Sequence, residues 1–189
     1  MSRWEPNARE RLAQAALDLY GERGFEQTTV AEIAKRAGLT ERTFFRHFAD
    51  KREVLFAGGS DLQELMVNGV LDAAASAAPI DAVAAGLQAG GEVLQKRREF
   101  SRQRQAVIAA SAELRERELI KLASLAAALA DALRRRGVTG PAASLTAEAG
   151  IAVFRVAFEE WVDEATDRGL PQVIRDSLDE LRAVTAGSR

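Results

Sequence analysis

The chain has 189 residues, of which 47% are hydrophobic and 29% charged, with a formal net charge of −2. That length buries a real core and fits one large domain or a small domain joined to a larger one. With no cysteine and a single histidine, disulfides, thiolate zinc sites and cysteine nucleophiles are excluded, and little is left for an imidazole-based metal or acid/base site.

Nothing in the sequence reads as a strand, because β-branched alternation closed by Asn-Gly or Asp-Gly turns is missing, and glycine and proline separate segments of helical length. An all-α chain is predicted. No apolar run reaches the ~18 residues of a membrane span, and the opening MSRWEPNARERL lacks the apolar centre of a signal peptide, so a cytoplasmic location is expected. The first helix, about Asn7 to Glu22, places Leu12, Ala15, Ala16, Leu19 and Tyr20 on one stripe. Thr29-Val30-Ala31-Glu32 has the form of a capping box and starts a second helix. Gly38 ends it, and after Leu39 the third begins with Thr40 as its N-cap. Asp50-Lys51-Arg52-Glu53 repeats the capping pattern and predicts a fourth helix start. Helix, tight glycine turn, short helix and cap make a helix-turn-helix pattern, although a plain helical hairpin shares part of it.

The third helix lies in TERTFFRHF, Thr40 to Phe48. Phe44 and Phe48 fall within about 60° of Glu41 on the helical wheel, while Arg42, Thr43, Arg46 and His47 occupy the opposite arc and Phe45 sits at the border. The phenylalanines would dock the helix. The arc suits guanine through arginine, a base or thymine methyl through threonine, or bulk solvent if it is plain surface. Residues 35–52 hold Lys35, Arg36, Arg42, Arg46, Lys51 and Arg52 against Glu41 and Asp50, a local charge of +4, whereas residues 1–60 carry +1 and the remainder −3. Lys51 and the backbone N–H groups near Thr29 suit phosphate oxygens.

The run Phe25 to Thr40 (FEQTTVAEIAKRAGLT), followed by Thr43 to Lys51 (TFFRHFADK), resembles the N-terminal domain of the tetracycline-repressor (TetR) family. The resemblance covers roughly residues 8–56, including the Gly-x-x-Gly end of the first helix. It implies an all-helical homodimeric transcription regulator, usually a repressor. Residues 1–55 would form a three-helix, homeodomain-like DNA-binding domain, and residues 56–189 a larger domain that binds a small-molecule effector and dimerises. It also implies that Thr29, Thr40, Arg42, Thr43, Arg46, His47 and Lys51 touch DNA. Phe45 stands where the family often has tyrosine, so a hydroxyl that often bonds a phosphate is missing; its ring can still meet a sugar or a thymine methyl.

Beyond Phe56 the reading rests on periodicity. Leu55, Gly59, Leu62, Met66 and Val70 keep helical spacing, and Gly58-Gly59 within that segment predicts either a kink in a linker helix or a close approach of another helix. Leu119, Leu122, Leu125, Leu129 and Leu133 mark 118–136 as a central helix whose Arg134-Arg135-Arg136 end complements its dipole. In 145–162 one arc carries Leu145, Ala149, Ala152, Val153 and Val156, and a nearly opposite arc carries Ile151, Phe154, Phe158, Trp161 and Val162. The first arc, with Ile174, Leu178 and Leu181 of the last helix, is expected to form a four-helix dimer interface; burial within one subunit is the alternative. Met66, Phe100, Phe154, Phe158 and Trp161 are candidate ligand contacts, with Arg155 as an anion anchor. Core packing and an Arg155–Glu159 pair are the alternatives. A helical enzyme is disfavoured, since no nucleophile is paired with a base. The reading requires neither cofactor nor metal, and its partners are double-stranded DNA, a small molecule and a second copy of the chain. A DNA-binding protein of the same fold without an effector is the competing function.

Overall fold

A computed structural model describes residues 7–163 and 167–187, and all regular structure among them is helical. The α-helices are α1 (Ala8–Arg23), α2 (Val30–Arg36), α3 (Glu41–His47), α4 (Gly59–Asp72), α5 (Pro79–Leu94), α6 (Arg98–Ala110), α7 (Ala112–Arg135), α8 (Gly140–Val162) and α9 (Leu170–Thr185). Short 3₁₀ turns stand at Glu53–Phe56 and Gln95–Arg97. The chain forms two compact units, one of residues up to Gly59 with Gln103–Glu118, the other of Ser60–Arg102 with Leu119 onward. The first unit thus takes in residues 103–118 beyond the 1–55 segment drawn from the sequence.

In the first unit, α1 buries Leu12, Ala16, Leu19 and Tyr20 on the stripe its spacing predicted. The α2 capping box is complete: the Thr29 hydroxyl accepts from the Glu32 N–H, and the Glu32 carboxylate accepts from the Thr29 N–H. At its other end the Leu39 N–H reaches the Ala34 carbonyl (2.8 Å) and the Gly38 N–H that of Lys35 (3.0 Å), with Gly38 at φ +68°. This double closure satisfies two orphan carbonyls and needs a left-handed residue, which glycine supplies without steric cost. Asp50 also caps as predicted, accepting from the N–H groups of Arg52 (2.8 Å) and Glu53 (3.2 Å). The capped segment is nevertheless only the 3₁₀ turn, because Glu53 turns away to pair with Arg117.

The predicted continuous helix from Leu55 to Val70 is also broken. Gly58 adopts φ +81°, and α4 starts afresh at Gly59. Neither glycine marks a close approach, since a Cβ on either would meet nothing within 4 Å. The close approach lies further along, in the second unit. A Cβ on Gly69 would lie 2.7 Å from the Gly86 Cα, and one on Gly86 would collide with the Met66 carbonyl oxygen. Helices α4 and α5 therefore cross backbone to backbone. Gly86→Ala is expected to destabilise the protein by about 1–3 kcal/mol despite alanine's better helix propensity, whereas Gly59→Ala should be neutral or slightly stabilising. Urea denaturation of the two variants checks this contrast.

The second unit's core joins Met66 and Val70 of α4, Val83 and Leu87 of α5, Leu129 and Leu133 of α7, Phe154 and Trp161 of α8, and Val173, Ile174 and Leu178 of α9. Helices α5, α8 and α9 start with proline in their first turn, where no intrahelical N–H bond is lost. Arg136 closes the C-terminal end of α4 by donating to the carbonyls of Leu71, Ala73 and Ala74. By length and mean hydropathy α8 would pass for a membrane-crossing helix, although no wholly apolar run is present. One of its faces packs within this unit: Ala143, Ala147, Gly150, Phe154, Ala157 and Trp161 are buried.

Candidate nucleic-acid interface

The two faces of α3 separate as the wheel predicts. Phe44 is fully buried and Phe48 nearly so, their ring centroids 5.5 Å apart. Burying two aromatic rings holds in place a seven-residue helix that would not persist alone. Its start is fixed by Thr40, whose hydroxyl accepts from the Thr43 N–H (3.2 Å) and lies 3.1 Å from the Thr43 hydroxyl. Arg42 and Arg46 are exposed, with no hydrogen bond or ion pair among the described residues. Phe45 resolves to the outside: 56% of it is exposed, with its ring edge-on to Phe44.

His47 is half-buried, and its Nε2 is enclosed without a hydrogen-bond partner. Of its two ring nitrogens, only Nδ1 can be offered outward. Nearby, the Arg9 guanidinium lies 5.8 Å from the Phe48 ring centroid.

The charge of +4 is largely spoken for. Arg36 makes a two-pronged pair with Glu22 (2.8 and 2.9 Å), and Arg52 bonds Asp50 and Glu113. The Arg36 bond holds the Glu22 carboxyl below its ordinary range, and Arg52, with the backbone N–H groups, does the same for Asp50. Lys51, expected at a phosphate, is turned inward. Its Nζ donates to the carbonyls of Phe25 (2.9 Å) and Thr28 (3.1 Å), with that of Glu26 at 3.4 Å. An ammonium has three hydrogens, and three carbonyls meet them. Thr29 is exposed, but its hydroxyl is engaged with Glu32. The outward set is thus Arg42, Arg46 and Phe45 with Thr40, Thr43 and one edge of His47, flanked by Lys35, which sequence reasoning left unused.

Such a surface, a short helix held by aromatic anchors after a glycine turn and presenting two unpaired guanidinium groups, has the form of a major-groove reader. The sequence profile of bacterial regulatory proteins of the tetR family matches residues 12–57, and that of the MftR C-terminal domain matches residues 77–186. The chain belongs to the TetR family. TcmR, an HTH-type transcriptional regulator of Streptomyces glaucescens, is 36% identical over 81 residues, which are 43% of this chain and 36% of TcmR. This similarity spans little more than a third of that relative. Solved TetR-like structures match more of the length. The SmeT–triclosan complex superposes with a TM-score of 0.67 at 23% identity, covering 94% of this chain and 90% of SmeT. FadR of Bacillus subtilis, in complex with stearoyl-CoA, superposes with a TM-score of 0.64 at 19% identity, covering 91% and 96%. At these identities the likeness is one of fold.

The ligand candidates scatter within the TetR-type second unit. Met66 is buried against α5, where a Cβ on Gly90 would collide with its side chain. Phe154, Phe158 and Trp161 form a chain of rings with centroids 5.9 and 5.6 Å apart, and Arg98 bonds the Trp161 carbonyl (3.0 Å). Phe100 is half-buried beneath the Arg97 guanidinium. Arg155 is exposed, so it is not a buried anion anchor. An apolar crevice, closed to a water molecule, lies instead between Val83, Leu87, Gly150, Val153, Ile174 and Leu178, and none of the six candidates lines it.

The expected dimer residues divide. Leu145, Ala152 and Val156 are exposed and Ala149 and Leu181 half-exposed, whereas Val153, Ile174 and Leu178 spend their apolar surface inside their own subunit. Val184 is 62% exposed on α9. The sequence wheel misplaced Val153 because both arcs of α8 are apolar and only packing shows where one ends.

Proposed function

We propose that this regulator is a homodimeric repressor that binds a palindromic operator through α3 and is released by a small-molecule effector. The observation that carries it is the pair of exposed, unpaired arginines, Arg42 and Arg46, on a helix anchored by Phe44 and Phe48. Arginine takes guanine O6 and N7 bidentately, and two heads spaced ~34–36 Å apart match successive major-groove faces. The α8 stripe of Leu145, Ala149, Ala152 and Val156, with Leu181 and Val184 of α9, is our dimer face; its small residues allow close approach.

Arg42→Ala and Arg46→Ala should each weaken operator binding by about 1–3 kcal/mol and relax base preference at one position per half-site. Footprinting to find the operator, followed by fluorescence anisotropy with single-base variants, checks this. Unchanged affinity in both variants would remove α3 from the interface.

For the effector, the enclosed apolar core of the second unit favours a molecule with a substantial apolar part. The stearoyl-CoA of FadR and the triclosan of SmeT are of that kind. Entry would require core helices around the crevice or the Phe154–Phe158–Trp161 chain to part, which would couple binding to a shift in conformation. Titrating acyl-CoA thioesters and triclosan into the operator complex tests it. If nothing releases DNA, the protein is an unresponsive DNA binder of the same fold.

A further inference from the structure

We infer that Lys51 is a positioning residue for DNA reading, holding the helix-turn-helix closed by clamping the loop before α2 to the segment after α3, and not a phosphate contact. The inference rests on the DNA-binding role proposed above. Its ammonium fills a nest of three carbonyls, those of Phe25, Glu26 and Thr28, and stands 4.3 Å from the Phe25 ring centroid. Both walls of the nest are fixed. Phe25 is buried edge-on against Tyr20, and Thr28 is buried with its hydroxyl donating to the Gly24 carbonyl (2.9 Å). A phosphate could take this ammonium only by stripping it from carbonyl oxygens that would then be left short of a donor.

The backbone at Lys51 is held as well. Its carbonyl accepts from the Tyr20 hydroxyl at 2.7 Å, and burial, reinforced by the Asp50 charge, pushes that phenol well above its ordinary value, so it stays a donor. Main chain and side chain of one residue therefore join α1, the 24–28 loop and the exit from α3. Thr29, the N-cap of α2, comes directly after the clamped loop. The clamp fixes where α2 begins at one end and where α3 ends at the other. The pair enters a groove as a unit, and a shift of ~1 Å in it would misplace Arg42 and Arg46 relative to base edges.

The test compares Lys51→Met, which keeps an apolar stem, and Lys51→Arg, which keeps donors, with the full-length wild type. Affinities for operator and for unrelated DNA would be measured over a salt series, at a temperature where circular dichroism shows all three folded. We expect Lys51→Met to lose roughly tenfold or more in operator affinity, with affinity for unrelated DNA and the salt slope unchanged, and Lys51→Arg to recover part of the loss. A slope shallower by about 0.9 in Lys51→Met, with equal losses on both DNAs, would make Lys51 a phosphate contact and overturn the inference. So would no change at all. NMR of the lysine ammonium groups provides a readout that needs no variant, since only Lys35, Lys51, Lys96 and Lys121 contribute. The Lys51 signal should be protected from solvent exchange in the free protein and unshifted on operator; a rapidly exchanging signal would overturn the clamp. Failure of the wild type to bind any DNA, with Lys51 protected, would overturn the DNA-binding role and the positioning role with it, while leaving the clamp as a stabilising contact.

Discussion

Replacing Phe44 with alanine should cost the first unit roughly 3–5 kcal/mol, enough to abolish operator binding at 37 °C. Phe44 is completely enclosed and meets the rings of both Phe45 and Phe48. The helix that carries it has only seven residues, so it has no means of keeping its shape once the anchor is gone. Thermal unfolding followed by circular dichroism, with hydrogen exchange to localise the loss, checks this. Exchange should accelerate across α2 and α3 and leave α8 and α9 protected. Phe45→Ala is the contrasting variant, since its ring is mostly in solvent: stability should barely change while operator affinity falls.

Arg104→Ala should destabilise the same unit by about 3 kcal/mol, toward the low end for a broken buried pair because a fifth of the side chain remains wet. The Arg104 guanidinium donates to the Leu55 carbonyl (2.7 Å), pairs with Glu118 (3.1 Å) and lies 4.9 Å from the Phe56 ring centroid. Burial draws it below its ordinary pKa while Glu118 pulls the other way. Removing it leaves the Glu118 carboxylate and the Leu55 carbonyl without that donor. The pairs Arg117–Glu53 and Arg52–Glu113 run beside it, so the α6–α7 corner is fastened to the 3₁₀ turn by several charged contacts. Equilibrium urea unfolding of Arg104→Ala, Glu118→Gln and the double variant should give a coupling energy of about 1 kcal/mol or more. Additive losses would reduce Arg104 to a packing residue.

The sequence was most legible where a structural rule is local. Caps at Thr29, Thr40 and Asp50, the glycine stop at Gly38 and the Phe44/Phe48 stripe depend on neighbours within about five residues, and the structure has each in its expected place. Illegibility began where partners are distant. Nothing near Lys51 in sequence says that three carbonyls some 25 residues earlier will receive its ammonium, and nothing near Arg36 points to Glu22. Counting charges gave the right region but overstated how much of it faces outward. The same limit applied to glycine. Gly58-Gly59 stood out as a doublet, yet the glycines that let helices touch are Gly69, Gly86, Gly90 and Gly150, which helical spacing alone does not distinguish from surface positions.

The internal pairing of Arg36 and Arg52 and the burial of the Lys51 ammonium also bear on how such a protein would search a chromosome. A head whose cations are mostly answered by its own acids and carbonyls casts a short electrostatic reach, and within a Debye length of ~8 Å at physiological salt little of it extends past the contact surface. Bulk DNA would hold it loosely, so fewer molecules would be lost to the ≈ 10⁶–10⁹ competing sites of a genome. Encounter would be correspondingly slower, and dwell time on the correct site would rest on Arg42, Arg46 and Phe45 rather than on general attraction to the phosphate backbone.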